Sequence, residues 1–253
     1  MIKNTVTNSK QLDARNLLLW PTLGYFCLML CFVLLPLDRW LADSIFSWEG
    51  GEWALRDAWL TTAIIHEGGR RLVLLILMLV FFLVAASYCL PALKPYRRGL
   101  YYILLSAIVS EVVVNLLKTV SGIDCPWDLK NYGGDRIYAG WSALFSLSDS
   151  GGNCFPAGHA SAAYAWFGVY FFTLHHFPRW RRTAIATVIF FGLVFGISQQ
   201  LRGAHFLSHD LATAWICWMT AVLMAPFFLA SNTTASITHY ISDRCKSKGV
   251  PEA

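Results

Sequence analysis

The chain alternates long apolar runs with short polar connections, and the runs set its architecture. Six stand out, at Leu17–Pro36, Leu72–Leu90, Gly99–Leu117, Ala160–Phe177, Thr183–Ser198 and Asp210–Ala230. Each approaches the roughly 17–25 residues that a helix needs to cross a bilayer, and the fifth is the shortest. The pattern predicts an all-α integral membrane bundle of six transmembrane helices forming one domain over residues 1–253. The first run is read as a span and not as a signal peptide, because its apolar stretch is too long and no small-residue cleavage site follows closely.

Composition agrees. Hydrophobic residues make up 56% of the 253 and charged ones 14%, against about 25% charged in a soluble domain. The net charge of +5 does not point to nucleic acid, because the basic residues sit in small clusters between apolar runs. Such clusters set membrane orientation. Lys3, Lys10 and Arg15, then Lys94, Arg97 and Arg98, then Arg179, Arg181 and Arg182, and finally Arg244, Lys246 and Lys248 fall on one side, which also carries the acids Asp13, Asp243 and Glu252. The other side carries eight basic residues and ten loop acids. The basic side is therefore expected in the cytoplasm, with tails 1–16 and 231–253 inside and loops 37–71, 118–159 and 199–209 outside. Loop 37–71 reads partly as an amphipathic helix around Trp53–Ile65, an interfacial element or lid. Loop 118–159 is long and rich in Gly, Asp and aromatics, and long structured loops in compact folds are usually functional.

The chemistry converges on those outer loops. Glu111, Asn115 and Lys118 are spaced i, i+4, i+7 and share a helix face. Glu111 is the only charge deep inside a run, which suits either a helix-locking pair with Lys118 or a wet cavity. Cys154-Phe155-Pro156-Ala157-Gly158-His159 precedes the fourth run. Proline suits a first helical turn, glycine admits a ligand to the backbone, and free amides at a helix start bind phosphate. Arg202-Gly203-Ala204-His205-Phe206-Leu207-Ser208-His209-Asp210 packs a cation, two imidazoles and a carboxylate into nine residues. A histidine oriented by a carboxylate is a nucleophile or base. His159, His205 and His209 also suit a zinc site, but Lys118 and Arg202 nearby favour an anion.

Together these motifs resemble the type 2 phosphatidic acid phosphatase family, bacterial branch. That family's pattern is Lys, six residues, Arg-Pro; then Pro-Ser-Gly-His; then Ser-Arg, five residues, His, three residues, Asp. Here it reads Lys118, six residues, Cys125-Pro126; Pro156-Ala157-Gly158-His159; and Ser198-Gln199, five residues, His205, then His209 and Asp210. Cys125 and Gln199 replace expected arginines, Ala157 a serine, and His209 the aspartate, with Asp210 one position later.

The resemblance implies a hydrolase of lipid phosphates or pyrophosphates in the cell envelope, with no cofactor and no metal. It implies His205 as nucleophile through a phosphohistidine, His159 as acid–base, and Asp210 as the group orienting His205. Lys118, Arg202 and the backbone at Gly158 and Ala157 would bind phosphate, with Arg70, Arg71, Lys130 or Arg136 as further cations. It also places the enzyme in a bacterial inner membrane with a periplasmic active site. Its expected partners are a lipid phosphate substrate and membrane lipids, not nucleic acid. A lipid phosphotransferase and a weakly catalytic binding or transport homologue are the alternatives. Cys27, Cys31, Cys89 and Cys217 read as apolar packing residues, and Cys245 falls in the tail. Cys125 and Cys154 alone fall in an outer loop and are expected to form a disulfide there.

Overall fold

The computed structural model describes residues 15–144 and 152–229. The expected tails, apart from residues 15 and 16, and residues 145–151 of the expected loop 118–159 lie outside the described residues. Helices are α1 (Trp20–Leu34), α2 (Leu37–Trp48), α3 (Gly69–Cys89), α4 (Arg97–Val120), α5 (Gly158–Tyr164), α6 (Gly168–His176), α7 (Arg181–Leu201) and α8 (Leu207–Phe228). Among the described residues there is no strand, only an isolated bridge between Leu129 and Arg136. Prolines mark several entries, with Pro21 in the first turn of α1, Pro91 in a 3-10 turn before α4 and Pro178 in one before α7. A proline lacks the N–H that a first turn leaves unpaired anyway.

Five stretches are long and apolar enough to cross a membrane: Asn16–Leu34, Leu60–Cys89, Pro91–Val120, Pro178–Leu201 and Leu207–Phe228. The fourth run of the sequence departs from this. It is helical from Gly158 to His176 but is broken by a 3-10 turn at Ala165–Phe167. The amphipathic helix of the first loop is also displaced from the expected position. It is α2, earlier in the loop, while Leu60–Gly68 forms a π-helical turn that runs straight into α3.

The outer faces of the long helices carry many exposed apolar side chains. Leu74, Leu75, Leu79, Phe81 and Phe82 on α3, and Phe190 and Leu193 on α7, are all exposed. An apolar surface of this extent is incompatible with water and natural in lipid. α4 is central, with Tyr102 and Val114 wholly buried and the Tyr102 hydroxyl donating to the Ala221 carbonyl of α8 at 2.7 Å. Small residues permit close helix approach, as membrane packing requires. A Cβ at Gly168 would lie 2.5 Å from Ser106 Oγ, and one at Gly192 would lie 2.1 Å from the Tyr164 ring.

The loops at the far end of α4 form a second, smaller core. Ala42, Leu129, Tyr132 and Phe206 pack there with Phe46, Trp53 and Tyr138. Trp53 lies against Gly203, whose φ of 69° a side chain would strain. Loop 37–71 is thus fastened onto the segment that carries His205.

Candidate active site

A cavity of about 800 Å³ opens between α3, α4, α5 and the end of α7. Its polar end is lined by His66, Arg70, Asn115, Lys118, Gly158, His159, Gln199 and His205; its other end is lined by apolar groups such as Leu77, Ile108 and Trp166. Glu111, Asn115 and Lys118 all face it, as the shared helix face requires. Glu111 and Lys118 form no ion pair among the described residues. Instead the Ser161 hydroxyl donates to Glu111 Oε2 at 3.0 Å, and the Asn115 amide donates to the Glu111 carbonyl at 2.8 Å. A Cβ placed on Gly158 would sit 3.5 Å from Lys118 Nζ, so the missing side chain leaves that ammonium close to the backbone.

His159 enters from the start of α5. Its ring stacks on His66 at 4.4 Å between centroids, 18° from parallel, and its Nε2 is buried without a hydrogen-bond partner. His205 lies on the short link between α7 and α8. Its Nδ1 is 3.3 Å from Cys154 Sγ, and the Cys154 backbone carbonyl is a hydrogen-bond partner of the His205 ring. Cys154 is joined to Cys125 in a disulfide, with Cα atoms 5.2 Å apart. A disulfide sulfur has no proton, so the imidazole N–H is the donor. Burial, reinforced by His209 and Lys118, pushes the His205 imidazolium well below its ordinary range. The ring is therefore neutral, with Nδ1–H engaged and Nε2 carrying the free lone pair.

Three residues expected at the site are placed elsewhere. Asp210 does not reach His205. The Gln200 side-chain amide donates to it at 2.6 Å, and it lies against Gly196. Positions 209 and 210 both fall inside α8, and neighbours on a helix point about 100° apart. An offset of one residue therefore turns the carboxylate toward α7. Arg202 caps α7 and donates to the Arg56 carbonyl at 2.7 Å, with Gln199 Oε1 at 3.5 Å; it is not among the residues lining the cavity. The Ala157 amide donates to the His209 carbonyl and its carbonyl accepts from Thr213, so neither group is free for phosphate. Arg136 is paired with Asp124.

Arg70, one of the further cations expected, does face the cavity. It lines the cavity from the first turns of α3, and His66 joins it from the turn below. His66 carries no motif, and only its spacing to Arg70, i and i+4 on one helical face, could have flagged it.

Paired imidazoles and two cations share the polar end of this amphiphilic cavity within the membrane bundle. A family model, described as the PAP2 superfamily, matches residues 99–233. The chain belongs to this superfamily, which is one of phosphatases. Neither the curated proteins nor the solved structures gave a match.

Proposed function

We propose that the protein is a membrane lipid phosphatase that works through a phosphohistidine on His205. The observation carrying this is the single cavity that holds His205, His159, Lys118 and Arg70 at one end and apolar side chains at the other. A substrate filling both ends is an amphiphile with a phosphate or pyrophosphate head.

In this reading His205 Nε2 attacks phosphorus while the ester P–O bond breaks. Burial lowers the His159 pKa to about 4, but the bound phosphate's negative charge raises it, so His159 takes a proton from solvent on binding and gives it to the departing alkoxide. His159 then takes a proton from water, whose oxygen attacks the phosphohistidine and frees inorganic phosphate and His205. Lys118 and Arg70 offset the charge on the transferring oxygens, the main source of rate in phosphoryl transfer. The Cys154 sulfur and carbonyl do the orienting that a carboxylate would otherwise do. The basic loops favour a cytoplasmic side opposite this cavity, and in this reading the cavity opens on the periplasmic side of a bacterial inner membrane with both termini inside.

The test is phosphate release from a panel of lipid phosphates and pyrophosphates in detergent, with chelator present, together with acid quench of labelled enzyme. Release with an acid-labile phosphoenzyme, both lost in His205→Ala, is the expected result. Turnover unchanged in His205→Ala, or transfer only to a lipid acceptor and never to water, overturns it.

A further inference from the structure

Beside the catalytic cavity the structure holds a cluster that the proposed reaction uses only in part, since it gives His209 no role. Cys154, His205 and His209 each offer one ligand atom, all within 4.8 Å of one another, and all three are buried. His209 Nδ1 has no hydrogen-bond partner in good geometry, with the Cys154 carbonyl beside its ring, although buried polar atoms are nearly always well paired. The fold leaves this nitrogen unused inside a cluster of soft ligands. Cys125 is held to the same cluster by its disulfide and also lines the cavity, which gives a route in from outside.

We propose that reduction of the Cys125–Cys154 bond converts this cluster into a site for a soft divalent cation of the zinc class. Cys125, Cys154, His205 and His209 are its ligands, and the bound ion takes His205 out of reaction. The inhibitory half rests on His205 being the nucleophile; the binding half stands on the cluster alone.

The geometry fits the ion. In tetrahedral zinc sites Zn–S is about 2.3 Å and Zn–N about 2.0–2.1 Å, so sulfur and nitrogen ligands stand roughly 3.5 Å apart. Cys154 Sγ and His205 Nδ1 already stand 3.3 Å apart. The charge balance fits as well. A disulfide sulfur is a poor ligand, whereas a thiolate is a strong one. An external dithiol gives two electrons and two protons to the bond, becoming a disulfide itself and leaving two thiols. Metal entry then displaces both thiol protons. Two thiolates neutralise the divalent charge, so the filled site is tolerable beside Lys118. The disulfide form offers no such compensation. Each imidazole must turn a lone pair to the ion; for His205 this moves the proton from Nδ1 to Nε2, which removes the lone pair that would attack phosphorus. The bond therefore separates two exclusive states of His205: free to react when oxidised, ligated when reduced.

The experiment uses the full-length protein in detergent with cobalt(II) as the spectroscopic probe. Protein is reduced with a dithiol, desalted without oxygen and titrated; an oxidised sample is titrated alongside. The expected result is one equivalent of tetrahedral cobalt with thiolate charge-transfer absorption in the reduced sample and none in the oxidised one. Reduced Cys125→Ser and His209→Gln should each bind at least ten-fold more weakly. Zinc should abolish turnover of the reduced enzyme, reversibly with chelator, and spare the oxidised enzyme. The oxidised–reduced comparison uses wild type alone, so it holds even where a substitution destabilises the chain. A reduced sample without the tetrahedral spectrum, or an oxidised sample with it, overturns the site. A fully loaded, fully active reduced enzyme overturns the inhibitory role and the assignment of His205, and leaves the spectroscopic result intact.

Discussion

The Asp38 carboxylate accepts two hydrogen bonds from Ser208, one from the backbone N–H at 3.1 Å and one from the hydroxyl. Ser208 is wholly buried in the first turn of α8, whose own N-cap residue, Phe206, supplies no side-chain bond. A residue of the first loop thus caps the helix that follows His205, and a carboxylate is the favourable charge at a helix start.

Removing that cap should cost stability. Asp38→Ala leaves a buried amide and a buried hydroxyl unpaired, a loss of about 1–3 kcal/mol. A lower thermal midpoint in detergent is expected, and an unchanged one would show the bond to be idle. Burial raises the Asp38 pKa to about 6 from its ordinary 3.8. The folded chain then holds a proton that the unfolded chain releases between those values. Stability from this group is full below 3.8, falls as pH rises toward 6, and is flat above. Asp38→Asn should remove that slope, so the gap between variant and wild type should differ between pH 4 and pH 7.

The two arginines should separate by readout. Arg70→Ala is expected to lower kcat/KM by roughly 10²–10³, the usual effect of losing a charged partner of the transferring oxygens. Its thermal midpoint should barely move. Arg202→Ala should do the reverse, because its guanidinium holds the Arg56 carbonyl of the first loop. Equal losses of kcat/KM in the two variants would count against the assignment.

Asp210→Asn should keep turnover within a few-fold. Its carboxylate faces Gln200 and Gly196, not His205, and an amide can still accept from Gln200. Loss of a hundred-fold or more in kcat, with the fold intact, would put the carboxylate back behind the nucleophile.

These contrasts mark where the sequence was legible. The membrane helices, the cavity face of α4 and the two histidines of the site follow from local pattern: run length, i, i+4 spacing and residues before a helix start. The partners of those histidines do not. His66, Asp38 and Trp53 reach the site from a loop whose docking depends on contacts across 93 to 170 residues, such as His66 with His159 and Asp38 with Ser208. No local period encodes such a contact. Arg202 and Asp210 depart from expectation for a related reason. Their positions in the chain are close to the right ones, but helical rotation, not proximity in sequence, decides where a side chain points.

The His205 environment makes a final prediction about pH. An ordinary histidine titrates near 6.5. Here burial comes first, with His209 and Lys118 next, and all act against the charged ring. Between the depressed folded value and 6.5 the unfolded chain holds a proton that the folded chain lacks. This group's contribution is therefore complete above about 6.5 and is lost as pH falls through that window. The same depression keeps Nε2 nucleophilic in mild acid, so the acid limb of kcat/KM set by His205 should lie clearly below 6.5. Lys118→Met removes one positive neighbour. Besides lowering the rate, it should let His205 protonate more easily and move that limb to higher pH. A merely structural role for Lys118 would lower the rate at every pH without moving the limb. A pH–rate profile of the two proteins on one lipid phosphate distinguishes these, and a limb that stays in place would rule out the charge of Lys118 as part of what keeps His205 neutral.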